Sequence, residues 1–272
     1  ERDSMGEVQL PSEALYQAQT QRAVQNFQLH PATMPAAFIR ALLLIKQAAA
    51  RANLQLGLLS ATQADAIAAA VDQQLQHLDL AQFPVSLYQT GSGTSSNMNA
   101  NEVLATLASQ SLVAKASASD SSGAKIHPND HVNLGQSSND TIPSAIHVSA
   151  SLAIVFELLP ALTQLQHAIA KLSLEQGAIL KTGRTHLMDA MPVRFSQVFG
   201  GWRAQLSHAE AHIRQQLTGL QQLAQGGTAV GTGVNAHPQF AALVCAELSK
   251  STGLSFTPSD NFFFSLSSRS VR

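Results

Sequence analysis

Cysteine, aromatic residues and charge are all scarce in this sequence. Its 272 residues include one cysteine, Cys245, which excludes an intrachain disulfide and a cysteine-based zinc site. Cys245 lies in an apolar stretch, so we expect it to be a buried small hydrophobe. Lys and Arg total 16 and Asp and Glu total 17, giving a formal net charge of −1. Because a nucleic-acid-binding protein normally has a basic excess, no nucleic-acid partner is expected.

The low charge also predicts features of assembly and location. Charged residues make up 12% of the chain, against a usual share of roughly 25%. A surface with so few charges indicates that much of it is buried in an oligomer. The most apolar stretch is interrupted by Lys46 and never reaches ~18 uninterrupted apolar residues, so no membrane span is expected. The opening residues, Glu1-Arg2-Asp3, do not form an apolar signal region, and together these features predict a cytoplasmic protein.

Helix-forming residues dominate and strand-forming runs are scarce, which predicts a mainly α protein. Apolar residues recur every three or four positions over 34–53, and Ser60 with Gln63 has the capping-box pattern of a helix start. Further helices are expected over 97–116, 143–174 with a kink at Pro160, 192–225 and 238–250, with a surface turn at Ser117–Gly123. We therefore expect a small N-terminal helical domain over 1–135 and the start of a long-helix bundle, itself incomplete, over 136–272.

Four polar segments interrupt the helical pattern. In the first, 89–102, Gly91 and Gly93 let the backbone approach a ligand. The hydroxyls of Ser92 and Thr94 can donate to an anion there, just before a predicted helix. A plain glycine–serine loop is the simpler interpretation, and a phosphate loop is disfavoured because no Gly-Lys-Ser/Thr ending follows.

The second and fourth segments each contain a histidine. The second, His127–Asp130, is open to two interpretations, an anion or metal site and an ordinary Asn-Asp turn. The fourth, 183–192, places His186 beside Thr185 in a short turn between two predicted long helices. A lone histidine is more often structural, but histidine is also the natural acid–base group near neutral pH.

The third segment stands directly before the helix predicted from residue 143. Ser137, Ser138 and Asn139 are three consecutive side chains that can donate to a carboxylate. Asp140 or Thr141 is the predicted N-cap. One cap does not require three further donors, so a binding function and a purely capping function both remain open.

Taken together, the four segments supply many neutral donors, one candidate acid–base group and no metal cluster. This combination suits a small dicarboxylate better than a nucleotide, and it implies no cofactor. A serine hydrolase is less well supported, because no Gly-x-Ser-x-Gly motif is present and His186 has no evident orienting partner in the sequence.

These polar segments resemble the class II fumarase branch of the fumarase/aspartase superfamily. The matching segments cover nearly the whole chain and are Asp3–Gly6, Gln19–Arg22, Gly91–Glu102, His127–Asp130, Gln136–Asp140, Gly183–Asp189 and Gly226–Asn235. The resemblance implies a fumarase/aspartase-like helical fold and a homotetramer whose sites form where loops of three subunits meet. It favours fumarase over aspartate ammonia-lyase, which usually has Gln where His186 stands.

The resemblance further implies reversible, metal-free hydration of fumarate to L-malate, with no cofactor. The residues that correspond to carboxylate-binding groups are Ser92, Thr94, Ser137, Ser138, Asn139 and Thr185. His186 resembles the active-site histidine, which handles the water or the hydroxyl leaving group. A secondary anion-binding site corresponds to His127, Pro128, Asn129 and Asp130. The apolar seam from Phe199 to Leu223 corresponds to tetramer core.

One missing motif separates this chain from the family. Family members are longer and have a C-terminal domain, and the loop resembling Gly-Ser-Ser-x-Met-Pro-x-Lys-x-Asn, which carries the catalytic serine base, is absent from these 272 residues. We therefore expect a fumarase fragment with little or no activity of its own. Two alternatives remain open: an aspartate ammonia-lyase-like enzyme, and a non-catalytic helical assembly module that keeps only the bundle.

Overall fold

Helices make up most of the protein in a computed structural model, which describes residues 1–3, 5–115 and 125–267. The helices are α1 (Ala18–Asn26), α2 (Ala36–Gln55), α3 (Ala61–Gln76), α4 (Thr94–Lys115), α5 (Ser138–Ala153), α6 (Leu159–Gln176), α7 (Phe195–Leu220), α8 (Phe240–Thr252) and α9 (Phe262–Ser267). The strands are β1 (Arg2–Asp3), β2 (Gly6–Glu7), β3 (Leu180–Thr185), β4 (Met188–Arg194), β5 (Gln222–Leu223) and β6 (Thr257–Pro258). The predicted mainly α class is confirmed, and the turn predicted at Ser117–Gly123 lies outside the described residues.

The first compact unit comprises Glu1–Ser149 and the segment from Gln221 onward. At its centre α2 packs against α3, α4 and α8. Leu42, Leu43 and Ile45 of α2 are fully buried. Their burial follows from the apolar periodicity of α2, which gives the helix a wide apolar face.

The second unit, Ala150–Leu220, contains the packed helices α6 and α7 and the hairpin β3–β4 between them in the chain. Gln166 of α6 donates to Glu210 of α7 and accepts a hydrogen bond from Ser207. No residue of α7 is buried in the single chain, and Trp202 is 52% exposed. The part of the apolar seam that α7 carries is therefore only partly covered in the isolated chain.

The helix bounds confirm some predictions and correct others. α2 covers the predicted helix over 34–53, and Ser60 and Gln63 form both hydrogen bonds of the capping box at the start of α3. The irregularity predicted near Pro160 is a π-helical turn at Ile154–Leu158, directly before it. A wider turn at this point accommodates the proline ring and the missing N–H group.

The helix predicted over 192–225 is wrong at both ends. It begins at Phe195 because residues 180–194 form the hairpin β3–β4, in which Thr182, Thr185 and Val193 have the β-branched side chains that strands favour. It ends at Leu220, and β5 follows. The predicted domain boundary near residue 135 stays a prediction.

One helical segment, Ser138–Gln176, is long and apolar enough to cross a membrane by length and composition alone. Its most apolar window has a mean hydropathy of 1.8. Asp140 and Glu157 lie within the segment, so it is not an uninterrupted apolar run. A long helix of a helical bundle passes the same test, and the segment is therefore weak evidence for a membrane span.

Candidate functional site

The loop before α4 is held against α5 by a glycine. Gly93 has a φ of +70°, and a Cβ built on it would lie 3.1 Å from the side chain of Ile142. Backbone conformation and close approach therefore both require glycine here. The turn brings the hydroxyl oxygens of Ser92 and Thr94 to 2.8 Å from each other at the start of α4.

The third polar segment forms the start of α5, and its N-cap is Ser137. Ser137 Oγ accepts from the backbone N–H of Asn139 at 3.2 Å, while Asp140 Oδ1 accepts from the backbone N–H of Ser137 at 2.9 Å. Together these bonds satisfy donors that a helix start leaves free. The prediction of Asp140 or Thr141 as N-cap is wrong, because Ser137 takes that position and the Asp140 side chain is buried.

Asp140 also joins the start of α5 to the glycine-rich loop that begins at Gly226. Its Oδ2 accepts from the backbone N–H groups of Gly226 at 3.0 Å and Thr228 at 2.8 Å. Burial raises the pKa of Asp140, while its three backbone N–H partners and the charge of Lys46 oppose that rise. One buried carboxylate thus connects two of the matched segments.

The serine hydroxyls at this helix start have protons available for a ligand. Ser137 Oγ accepts from Asn139 N–H, and Ser138 Oγ accepts from Asn97 Nδ2 at 3.1 Å. Within the described chain neither hydroxyl donates a hydrogen bond, so each can donate to an anion. Asn139 Nδ2 donates to the carbonyl oxygen of Ala229 at 2.7 Å, which leaves its second N–H for a ligand.

Behind these donors lies a lysine whose role sequence reasoning missed. Lys46 is fully buried, and its Nζ donates to Asn133 Oδ1 at 2.8 Å and to Gln136 Oε1 at 3.0 Å. Burial lowers the pKa of Lys46 to about 7, and the charge of Asp140 opposes that change. The available signal was that Lys46 interrupts the apolar stretch between Arg40 and Arg51 of α2.

A second buried carboxylate holds the N-terminal segment in place. Glu102 of α4 accepts from the backbone N–H groups of Gln17 at 2.8 Å, Gln19 at 3.0 Å and Thr20 at 3.1 Å. These donors belong to the first turn of α1, where a negative charge also interacts favourably with the helix dipole. Burial raises the pKa of Glu102, and the three bonds oppose the rise. Two matched segments, the start of α1 and the loop–helix region 91–102, are thereby joined.

The second polar segment borders a cavity of about 380 Å³ in the first unit. His127, Pro128 and Asn129 line it together with Lys125 and Glu102, among others. His127 Nδ1 accepts from the backbone N–H of Asp130 at 3.1 Å and also lies 3.1 Å from its carboxylate. A protonated His127 would donate to that carboxylate instead.

Thr185 and His186 lie at the end of the hairpin β3–β4 in the second unit. Thr185 pairs with Met188, which leaves a two-residue turn of His186 and Leu187 with φ values of +49° and +61°. A two-residue turn with both φ values positive is normally built from Asn and Gly, so the backbone at His186 and Leu187 is strained. Such strain is concentrated at functional sites in proteins. The turn was predicted, but the strands on either side of it were not.

The predicted site residues fall into two groups. Ser92, Thr94, Ser137, Ser138 and Asn139 belong to the first unit, and Thr185 and His186 belong to the second. Among residues 1–3, 5–115 and 125–267, no group of three or more His, Cys, Asp or Glu side chains is arranged to hold a metal ion. The first group consists of neutral hydroxyl and amide side chains at the starts of α4 and α5.

Nearly the whole chain matches one family of known proteins. Residues 6–271 match a family model described as a lyase, and the chain belongs to this lyase family. Its similarity within that family is to class II fumarate hydratases. It is 59% identical over 263 residues to "Fumarate hydratase class II 2" of Pseudomonas aeruginosa, covering 97% of this chain and 55% of that protein.

Two further relatives give the same result. The class II fumarate hydratase of Xylella fastidiosa strain Temecula1 is 51% identical over 270 residues, covering 99% of this chain and 55% of that protein. A crystal structure of class II fumarase from Schistosoma mansoni aligns with a TM-score of 0.91 at 37% identity, covering 97% of this chain and 58% of that one. The chain thus spans about half the length of the curated relatives that it matches.

Proposed function

We propose that this chain is part of a fumarate hydratase-type lyase that interconverts fumarate and L-malate. Its own contribution is the set of neutral donors that binds substrate carboxylates: Ser92, Thr94, Ser137, Ser138 and Asn139, with Thr185 from the hairpin. The observation that carries the proposal is the arrangement at the start of α5. There, Ser137 and Ser138 each accept a hydrogen bond from the protein and keep their own protons for an anion.

The proposed chemistry requires such donors. In the dehydration of L-malate, a base removes a proton α to one carboxylate, and the hydroxyl group then leaves as water. The intermediate carries additional negative charge on that carboxylate. Preorganised neutral donors stabilise this charge without reorganising during the reaction. His186 would handle the water or the hydroxyl leaving group, and His127–Asp130 would form a secondary anion site beside the 380 Å³ cavity.

Turnover by these 272 residues alone is expected to be very low. The Gly-Ser-Ser-x-Met-Pro-x-Lys-x-Asn motif that carries the serine base in the family does not occur in the sequence. Losing a general base removes a factor of about 10²–10⁴ in rate. Formation of fumarate from L-malate, followed by ultraviolet absorbance, tests this expectation. Robust turnover would show that another residue of the chain acts as the base.

Ligand binding tests the donor set without requiring turnover. Isothermal titration of the purified chain with fumarate and with L-malate should show binding, and L-aspartate should bind more weakly. Ser138→Ala should weaken binding by about tenfold or more, the value of one hydrogen bond to a charged group. Ser149→Ala is the matched control, because Ser149 Oγ donates to Ile146 O one turn back in its own helix. Equal affinity in both variants would contradict the proposed role of Ser138.

We further propose that the assembled protein is a homotetramer located in the cytoplasm. The supporting observation is the open apolar surface of the second unit, where Leu165, Leu172 and Trp202 are 48%, 45% and 52% exposed. Exposed apolar area of this kind marks an interaction surface. Light scattering of the purified chain should give a tetramer mass, whereas a stable monomer would count against the assembly.

A non-catalytic assembly module is the second candidate, and the exposed apolar side chains of the second unit support it as well. Such a module would form the same oligomer as the first candidate, but it would not require the side chains that donate to carboxylates. A tetramer whose melting temperature does not change with saturating fumarate or L-malate would favour the module. Ligand-dependent stabilisation that Ser138→Ala abolishes would favour the lyase.

A further inference from the structure

A buried lysine lies at one end of a hydrogen-bond chain whose other end is Ser138. Lys46 lies on α2, is inaccessible to solvent, and places its Nζ 2.8 Å from Asn133 Oδ1 and 3.0 Å from Gln136 Oε1. A buried cation is costly unless it is well solvated by protein oxygens. Both of these partners are neutral amide oxygens, so Lys46 is not held by an ordinary ion pair with a carboxylate.

The first consequence concerns Asn133. An ammonium group donates hydrogen bonds and cannot accept them, so Asn133 must turn its oxygen toward Lys46. That oxygen also accepts from Asn97 Nδ2 at 3.2 Å, and Asn133 Nδ2 donates to the backbone oxygen of Gln136 at 3.3 Å. Lys46 thus fixes which end of the Asn133 amide faces Asn97.

The second consequence concerns Asn97 and Ser138. Because Asn97 presents its amide nitrogen to Asn133, the same nitrogen donates to Ser138 Oγ at 3.1 Å. The Ser138 oxygen is therefore occupied as an acceptor, and its proton points elsewhere. Asn97 Oδ1 is buried and has no hydrogen-bond partner within the described chain. If the Asn97 amide turned over, this oxygen would face Ser138 and take its proton.

We propose that Lys46 is a positioning residue, which fixes the direction of the chain Lys46–Asn133–Asn97–Ser138 so that Ser138 donates to a substrate carboxylate. Lys46 itself does not touch the substrate. The inference rests on the proposed function, because it explains how one of the carboxylate donors is kept in its donating state. Removal of the lysine frees Asn133 and Asn97 to turn over, and Ser138 then donates to Asn97 rather than to the ligand.

A double-mutant cycle tests this coupling. Fumarate affinity is measured by isothermal titration for the unaltered chain, Lys46→Met, Ser138→Ala and the double variant. Each single change should weaken affinity by about tenfold or more. The double variant should be little weaker than Ser138→Ala alone, because Lys46 acts through that hydroxyl. Strictly additive effects would overturn the proposal.

Ser92→Ala is the matched control for a general loss of structure. Ser92 bonds to Thr94 and is not a member of the Lys46 chain. Lys46→Met and Ser92→Ala should therefore combine additively. If Lys46→Met couples equally to Ser92 and Ser138, its effect is structural and the positioning role is wrong.

Asn97→Asp keeps the lysine and its two amide partners, and it is the variant to use if Lys46→Met does not fold. It replaces the nitrogen that donates to Ser138 with an oxygen that accepts the Ser138 proton, and it preserves the shape of the side chain. It should weaken fumarate binding as Lys46→Met does, with unchanged circular dichroism, whereas Asn97→Leu, which lacks both the donor and the competing oxygen, should bind more tightly than Asn97→Asp. Unchanged affinity in a folded Asn97→Asp variant would refute the proposed chain.

A measurement without ligand separates this inference from the proposed function. Failure of the unaltered chain to bind fumarate or L-malate contradicts the proposed function. The direction of the chain is then read from the Asn97 side-chain amide by nuclear magnetic resonance. Its N–H protons should be protected from exchange in the unaltered chain and lose protection in Lys46→Met, or in Lys46→Gln if the methionine variant does not fold. Equal protection in both proteins would show that Lys46 does not orient Asn97.

Discussion

Gly226 offers a direct test of how the glycine-rich loop supports the start of α5. Its φ is +100°, and a Cβ built on it would lie 2.5 Å from Ala241 Cβ and 3.1 Å from Ala241 Cα. A non-glycine residue in so sparsely populated a conformation costs about 1–3 kcal/mol, and overpacking adds about 1–3 kcal/mol. Gly226→Ala should therefore lower the free energy of unfolding by about 2–6 kcal/mol, the sum of the two ranges.

Gly57→Ala is the matched control. Gly57 has a φ of +70°, but no atom lies within 4 Å of its built Cβ, so only the conformational cost of about 1–2 kcal/mol applies. Urea denaturation followed by circular dichroism gives the midpoint and slope for both variants. Because the Gly226 N–H donates to Asp140, Gly226→Ala should also weaken dicarboxylate binding, and Gly57→Ala should not. Equal destabilisation of the two variants would refute the reasoning, because it would mean that the contact with Ala241 yields without cost.

Three further predictions concern pH, thiol reactivity and capping. Lys46 has a folded pKa of about 7 against an unfolded value of 10.5, so the folded protein binds fewer protons between these values and stability rises with pH there. The gain is lost as the pH falls from 10.5 to about 7, and urea denaturation should show that Lys46→Met lacks this rise. Burial raises the pKa of Cys245 to about 12, so iodoacetamide at neutral pH should label the thiol only in denaturant. Labelling of the native protein would mean that α8 opens readily. Ser60→Ala should lower the free energy of unfolding by about 1 kcal/mol, measured by urea denaturation, and no change would mean that the capping box is not stabilising.

Sequence patterns predicted the local elements well where neighbouring residues decide them. The apolar periodicity of α2 and the Ser60–Gln63 cap each depend on residues no more than four positions apart, and both are confirmed. The family resemblance rested on short polar segments, and residues 6–271 match the lyase family model. Hairpin β3–β4 was missed because its strands do not alternate apolar and polar residues and lie between strong helical patterns.

Several site contacts could not be predicted because they join distant parts of the chain. Asp140 was expected to cap its own helix, yet it accepts from Gly226 and Thr228, which lie 86 and 88 residues further on. Glu102 accepts from Gln17, at a separation of 85 residues. The sequence shows that a residue carries a carboxylate, but it does not show which groups will donate hydrogen bonds to that carboxylate.

The sequence by itself determined the helical class, the order of the main helices and the residue types of the proposed site. These properties follow from propensity, periodicity and composition, which act locally along the chain. Only the tertiary structure decided that Lys46 is buried beside Asn133 and that Ser138 is left with a free proton. Burial removes the competing hydrogen bonds of water, so the direction of each remaining bond is set by its partners in space.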